Sequence, residues 1–189
     1  MSGYSTEVRA ILKSPEAAAQ WARFQCDGYV ERLRQKSHGS SSICLVGMMT
    51  TIMPRSDGAA LAVFKPNGIT DAGYDFIANS MVNRSAGGAL TQMGYIAIGT
   101  GTAAFAATQT ALSAELARQT ATYSHVAGSK LFTIEAYFAP GIGTGSITEA
   151  GVFNASSGGT MLDRVVSAPI SKDAASPFTK TFNFVFLNA

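Results

Sequence analysis

The run FTKTFNFVFL at residues 178–187 constrains the fold more than any other feature of the chain. Phe178, Lys180, Phe182, Phe184 and Phe186 share one parity, and Thr179, Thr181, Asn183 and Val185 share the other. A period of two with bulky rings on one side is a strand whose aromatic face must be buried. Phe182, Phe184 and Phe186 are therefore expected on one face, buried either in the core or between subunits. Similar short runs stand upstream at 93–98, 120–126, 131–138, 147–153 and 160–166. Turn residues separate them: Ala127-Gly128-Ser129, the stretch 140–145, and Ser156-Ser157-Gly158-Gly159. Short strands spaced by Gly-rich turns predict an antiparallel β-sandwich over residues 91–189.

Residues 1–40 read differently. Ser14-Pro15-Glu16 is a helix start, with Ser as N-cap, Pro at the first helical position and an acid in the first turn. Ala18, Trp21, Phe24, Val30 and Leu33 then recur at helical spacing. Arg32, Arg34 and Lys36 suit the last turns, where cations complement the helix dipole. Ser37-His38-Gly39-Ser40 ends the helix, and a shorter helix is expected over residues 6–13. Six bases and four acids lie in this part, so the remaining residues, with eight of each, are neutral. The stripe Trp21, Phe24, Val30 and Leu33 is too apolar to leave in water, and it predicts a helical docking arm over 1–40, the alternative being a helix folded against residues 41–90.

Residues 41–90 form a mixed α/β middle segment. Strands are expected at 43–51 and 59–64, flanking the turn Pro54-Arg55-Ser56-Asp57-Gly58. Lys65-Pro66-Asn67-Gly68 reads as a second turn, and Thr70-Asp71 caps a helix to about Val82 with Tyr74, Ile77 and Met81 on one face. Ser85 to Gly88 is a break. The overall expectation is a mainly β protein: arm, mixed segment, β-sandwich.

Composition removes several classes of function. The net charge is +2, against the strong basic surplus of a nucleic-acid binder. Charged residues are 14% of the chain, where soluble domains average about 25%. Few charges and many small residues point to a subunit that hides surface in an assembly. No apolar run is long enough to span a membrane, and the first residues hold acids and lack a hydrophobic signal core. Two cysteines, Cys26 and Cys44, exclude a disulfide scaffold; free thiols are expected, and one bridge between them stays open.

Signals of chemistry are sparse. Gly99-Thr100-Gly101-Thr102-Ala103-Ala104 follows a strand, as a dinucleotide loop does, but no helix and second parallel strand follow it. His38 and His125 have no ligand partners at metal spacing. Asp71 and Asp75 lie one helical turn apart and read as dipole partners. Glu135 and Glu149 lie inside apolar strands, with Arg118 and Arg164 near other strands. A buried carboxylate needs a partner, so Glu149 is expected to form a structural ion pair with Arg164 or Arg118. No catalytic residue, metal ligand or cofactor is assigned. The aromatic and Thr content of the β-rich part also admits a sugar-binding surface.

Four strings stand in order over residues 93–187: MGYIAIGTGTAAFAATQTALSAELAR, ITEAGVFN, GGTMLDR and the closing aromatic strand. This order resembles structural proteins of tailed-bacteriophage virions of the tail-fibre-like or neck (collar) fibre-like kind. Ala103-Ala104-Phe105 stands where that family usually has Pro and Thr. The resemblance covers about half the chain and implies a non-enzymatic β-domain in a virion. It implies a homo-oligomer, with a trimer as first choice, and contacts with other virion proteins. The alternative is a receptor- or glycan-binding adhesin module touching a host-surface glycan. Nucleic acid and membrane are not expected partners. The protein would be made in the bacterial host cytoplasm and end in the virion.

Overall fold

The computed structural model describes residues 6–36, 43–82 and 92–188. Within them are strands β1 (Val8–Leu12), β2 (Ile43–Pro54), β3 (Ala60–Ile69), β4 (Tyr95–Gly99) and β5 (Glu115–Thr120). Strands β6 (Thr122–His125), β7 (Leu131–Phe138), β8 (Gly145–Phe153), β9 (Met161–Lys172) and β10 (Phe178–Asn188) follow. Helix α1 spans Pro15–Lys36 and α2 spans Asp71–Val82.

All pairings are antiparallel, in one path: β5-β4-β8-β9-β3-β2-β10-β7-β6, with β1 added on β3. The two ends of this path are β5 and β6, which a single residue joins in the chain, Ala121. The sheet therefore curls until it is nearly closed into a barrel. Ala121 N–H donates to Gly94 O at 2.8 Å across that corner.

The barrel interior is the main core. Phe178, Phe182 and Phe184 of β10 meet Ile134 and Phe138 of β7, Met49 of β2, Ile96 and Ile98 of β4, and Val152 of β8. Phe132 stacks on Phe184 and Phe138 on Phe178, with ring centroids 4.9 and 5.0 Å apart. Phe186, on the same parity, is 37% exposed, so within one chain the covered aromatic face ends at Phe184.

A second apolar layer lies outside the sheet. The opposite parity of β2, β3 and β10 gives Met48, Phe64, Val185 and Leu187, and Tyr29 and Val30 of α1 cover them. Trp21 and Leu33 pack against the same layer. Ser14 caps α1 as its sequence requires: its Oγ accepts from Ala17 N–H at 3.2 Å.

Four expectations need correction. Residues 91–189 do not form a sandwich of their own: β10 pairs with β2 over ten residues, and β2 and β3 lie between β9 and β10. The middle segment and the C-terminal half thus build one sheet. The N-terminal part is no free arm, because Trp21, Val30 and Leu33 find their apolar partners on their own sheet; only Phe24 of that stripe is exposed, at 72%. The short helix expected over 6–13 is strand β1, where Val8, Ala10 and Leu12 alternate with Arg9 and Ile11 and pair along β3. Lys65-Pro66-Asn67-Gly68 continues β3 instead of turning. Pro66 sits between the part of β3 that pairs with β1 and the part that pairs with β9, a changeover where a strand tolerates proline. Ser37 to Ser40, with His38, and the break at Ser85 to Gly88 lie outside the described residues, as does the side chain of Met81.

Candidate functional site

Three of the four segments singled out by their order in the sequence meet at one place, and the closing aromatic strand stands apart in the core. The meeting place lies on the outer side of β8 and β9, under the long loop of residues 100–114. A register shift in β8 between Ile147 and Glu149 sets it up. Such a bulge reverses the alternation of faces, so Ile147 and then Ala150 and Val152 all join the interior core. Glu149 is left on the outer side, beneath the loop.

The carboxylate is saturated. Its Oε1 accepts from Gly101 N–H at 3.0 Å and Ala114 N–H at 2.7 Å. Its Oε2 accepts from Ser113 N–H at 3.0 Å and from Arg164 Nε and Nη2 at 3.0 and 2.7 Å. Both side chains are fully buried. Burial pushes the Glu149 carboxyl up, but the Ala114 amide, the Arg164 guanidinium and the Ser113 amide outweigh it, and its pKa lies below the ordinary value. Arg164 spends its remaining donors on the loop: Ala103 O and Gln109 Oε1 at 3.0 Å each, and Ser113 Oγ at 3.1 Å. Thr148 Oγ1 donates to Gly101 O at 2.8 Å.

Gly101 has no alternative residue here. A Cβ would stand 2.3 Å from Glu149 Oε1. The G-x-G pattern that could have cradled a phosphate instead lets the backbone approach an internal carboxylate. Leu112 anchors the same loop in an apolar cluster with Ala97, Phe153 and Met161. The loop is thus closed on both chemistries, an ion pair and an apolar plug.

Arg118 does not join Glu149. It pairs with Glu115 at 2.7 Å, lies 3.8 Å above the Phe153 ring, and donates to Ala155 O and Gly158 O at 2.7 and 2.9 Å. It fastens the β8–β9 turn to β5. Glu135 accepts from Thr181 Oγ1 at 2.8 Å on the outer face. His125 is exposed, its Nδ1 2.9 Å from Leu131 O. Asp71 and Asp75 are exposed on α2. Cys26 and Cys44 are free; burial and the neighbouring Asp27 push the Cys26 thiol up to about 12. Among the described residues no group of three or more His, Cys, Asp or Glu side chains is placed to hold a metal ion. None of the described helices is long and apolar enough to cross a membrane.

Three buried charged groups went unread in the sequence, among them Lys172, whose Nζ donates to Ala139 O at 3.1 Å. Asp163 is fully buried where β3 crosses to β9; Asn67 Nδ2 and Val152 N–H donate to it, the latter at 3.1 Å. Burial pushes its pKa well above the usual carboxylate range. Lys180 points into the barrel beside Met49 Sδ, at 3.6 Å, and the Phe178 ring, at 5.8 Å. Burial depresses its pKa to about 7, with Glu7 opposing the shift and Arg9 adding to it. The signal for Lys180 was its place among the phenylalanines of one parity. Asp163 had a weaker one, its position next to Arg164 in an otherwise apolar strand.

No family model, curated protein or solved structure matches the chain.

Proposed function

We propose that the chain is a non-enzymatic structural subunit of a tailed-bacteriophage virion, a fibre, neck or tail component. One observation carries the reading. Three of the four strings that resemble the virion family converge on the Glu149–Arg164 pair, and there the polar groups are used to hold a loop. Residues spent in this way support a shared structural role better than a shared reaction. The low charge content fits a subunit with much of its surface covered by neighbours. In this reading the subunit self-associates, a trimer being the first choice, and contacts other virion proteins. The outer face of α1, marked by exposed Phe24, is what remains of the arm for such docking.

A glycan-binding adhesin module is the second reading. Exposed Tyr137, on the outer face of β7, favours it, because sugar rings stack on aromatic faces. Immunogold electron microscopy of purified phage particles tests the first reading. Label at one fixed station supports it; a chain present in the lysate and absent from particles overturns it. Binding to a glycan array at the same time would move the assignment to the second reading.

A further inference from the structure

The barrel leaves an apolar pocket of about 300 Å³ at the end covered by α2. Its walls are Ile77 of α2, Phe132 and Ile134 of β7, and Leu162 of β9. Gln92 and Tyr123 supply polar groups. Tyr123 is 60% exposed and leans on Phe132, centroids 6.0 Å apart; Phe132 in turn stacks on Phe184. An aromatic rim therefore leads from solvent into an apolar hole.

Close-packed interiors leave few voids larger than a water molecule. Water gains little between apolar walls, and a dry cavity of about 150 Å³ is already enough to take up benzene. The space here is larger and opens at an aromatic mouth. Among the described residues its lining includes no charged side chain, and against these walls an ionic ligand would lose its hydration without gaining a counter-charge. Gln92 and Tyr123 are the lining residues whose side chains can pair with one neutral head group.

We propose that this pocket binds a small uncharged amphiphile, an aliphatic body with one neutral polar end, of roughly ten non-hydrogen atoms at about 30 Å³ each. The site lies apart from the Glu149–Arg164 loop, and its occupancy does not depend on the virion reading.

The test is titration calorimetry of the full chain with 1-octanol, octanoate and methyl glucoside. The expected result is saturable one-site binding of 1-octanol, with octanoate weaker by about tenfold or more because its charge has no partner. Ala121→Phe fills the pocket and is expected to weaken octanol about tenfold or more while the protein still melts cooperatively. Ile77→Phe on α2 repeats the filling should the first variant fail to fold. Absence of saturable octanol binding by the full chain overturns the proposal. So does unchanged octanol affinity in a folded filling variant, or methyl glucoside binding more tightly than 1-octanol.

Discussion

Glu149→Gln keeps the shape of the side chain and removes the charge that Arg164 was buried against. Breaking one partner of a buried pair costs about 3–5 kcal/mol, since the other charge stays uncompensated. Urea unfolding of the variant is expected to show a loss of that size, with Arg164→Met in the Glu149→Gln background recovering part of it. The pH sign follows from the lowered pKa of Glu149: its contribution is present above the ordinary glutamate value and is lost as the pH falls through its own lower one. Lys180 works in the opposite sense. Its pKa is about 7 in the fold against 10.5 unperturbed, so between those values the unfolded chain holds a proton that the folded chain lacks. Stability from this group rises with pH across that window, and its full cost is felt below about 7. Lys180→Met is expected to stabilise the protein, most strongly at pH 6 and little above pH 10. A pH-independent difference between the two proteins would refute the assignment. Asp163, held above its ordinary range, loses stability as pH rises, and comparing variant with parent removes that common background. At this scale the ion pair was legible, because an acid and a base inside apolar strand runs have to satisfy each other. Which arginine answers Glu149 was not, since that depends on a bulge and on cross-strand register. Lys180 shows the limit of a parity argument: the alternation fixed its face, and only the barrel's curvature decided that this face has no water.

Elements divide along the same line. Helix α1 was readable from Ser14-Pro15-Glu16 and from its apolar stripe, both local signals. What the stripe packs against was not local. Tyr29 and Val30 close over Met48, Phe64, Val185 and Leu187, residues drawn from three strands far apart in the chain. Burial of each large side chain is worth about 1.5–3 kcal/mol, comparable in sum to the whole stability of a domain. Deleting residues 1–39 would uncover that layer and remove β1 from the edge of β3. The truncated chain is expected to lose cooperative thermal unfolding and to aggregate, read by circular dichroism and light scattering. A soluble truncation that melts like the full chain would restore the detachable arm. Strand β1 stands where a short helix is expected, because five residues are too few for periodicity to separate the two and pairing with β3 decides it. In the fold, Ala168 N–H donates to Glu7 Oε2 at 2.8 Å, and Arg9 donates to Pro169 O at 2.9 Å. These side chains fasten β1 to β9 where β3 no longer reaches it.

The described residues form a nearly closed barrel with one helix on its outer face and one across an end. The β-rich class was legible from strand length and turn spacing. The strand order was not, because β2 pairs with β10 across most of the chain length, and sequence patterns record faces, not neighbours. Phe24, Ile43, Tyr137 and Val126 remain exposed on a protein with few charges, so self-association is expected. Sedimentation equilibrium at micromolar concentration should report a multiple of the 19.7 kDa chain, a trimer first; a monomer throughout would contradict it. The central claim is that Glu149 and Arg164 act as a clamp binding the 100–114 loop into the barrel. Native-state hydrogen exchange of the Gly101, Ser113 and Ala114 amides tests it most directly. The account predicts that all three exchange only with global unfolding, at the same free energy as β10 core amides, and that Glu149→Gln releases them to faster local exchange. Exchange at open-loop rates in the unmodified protein, or no change in the variant, would contradict it.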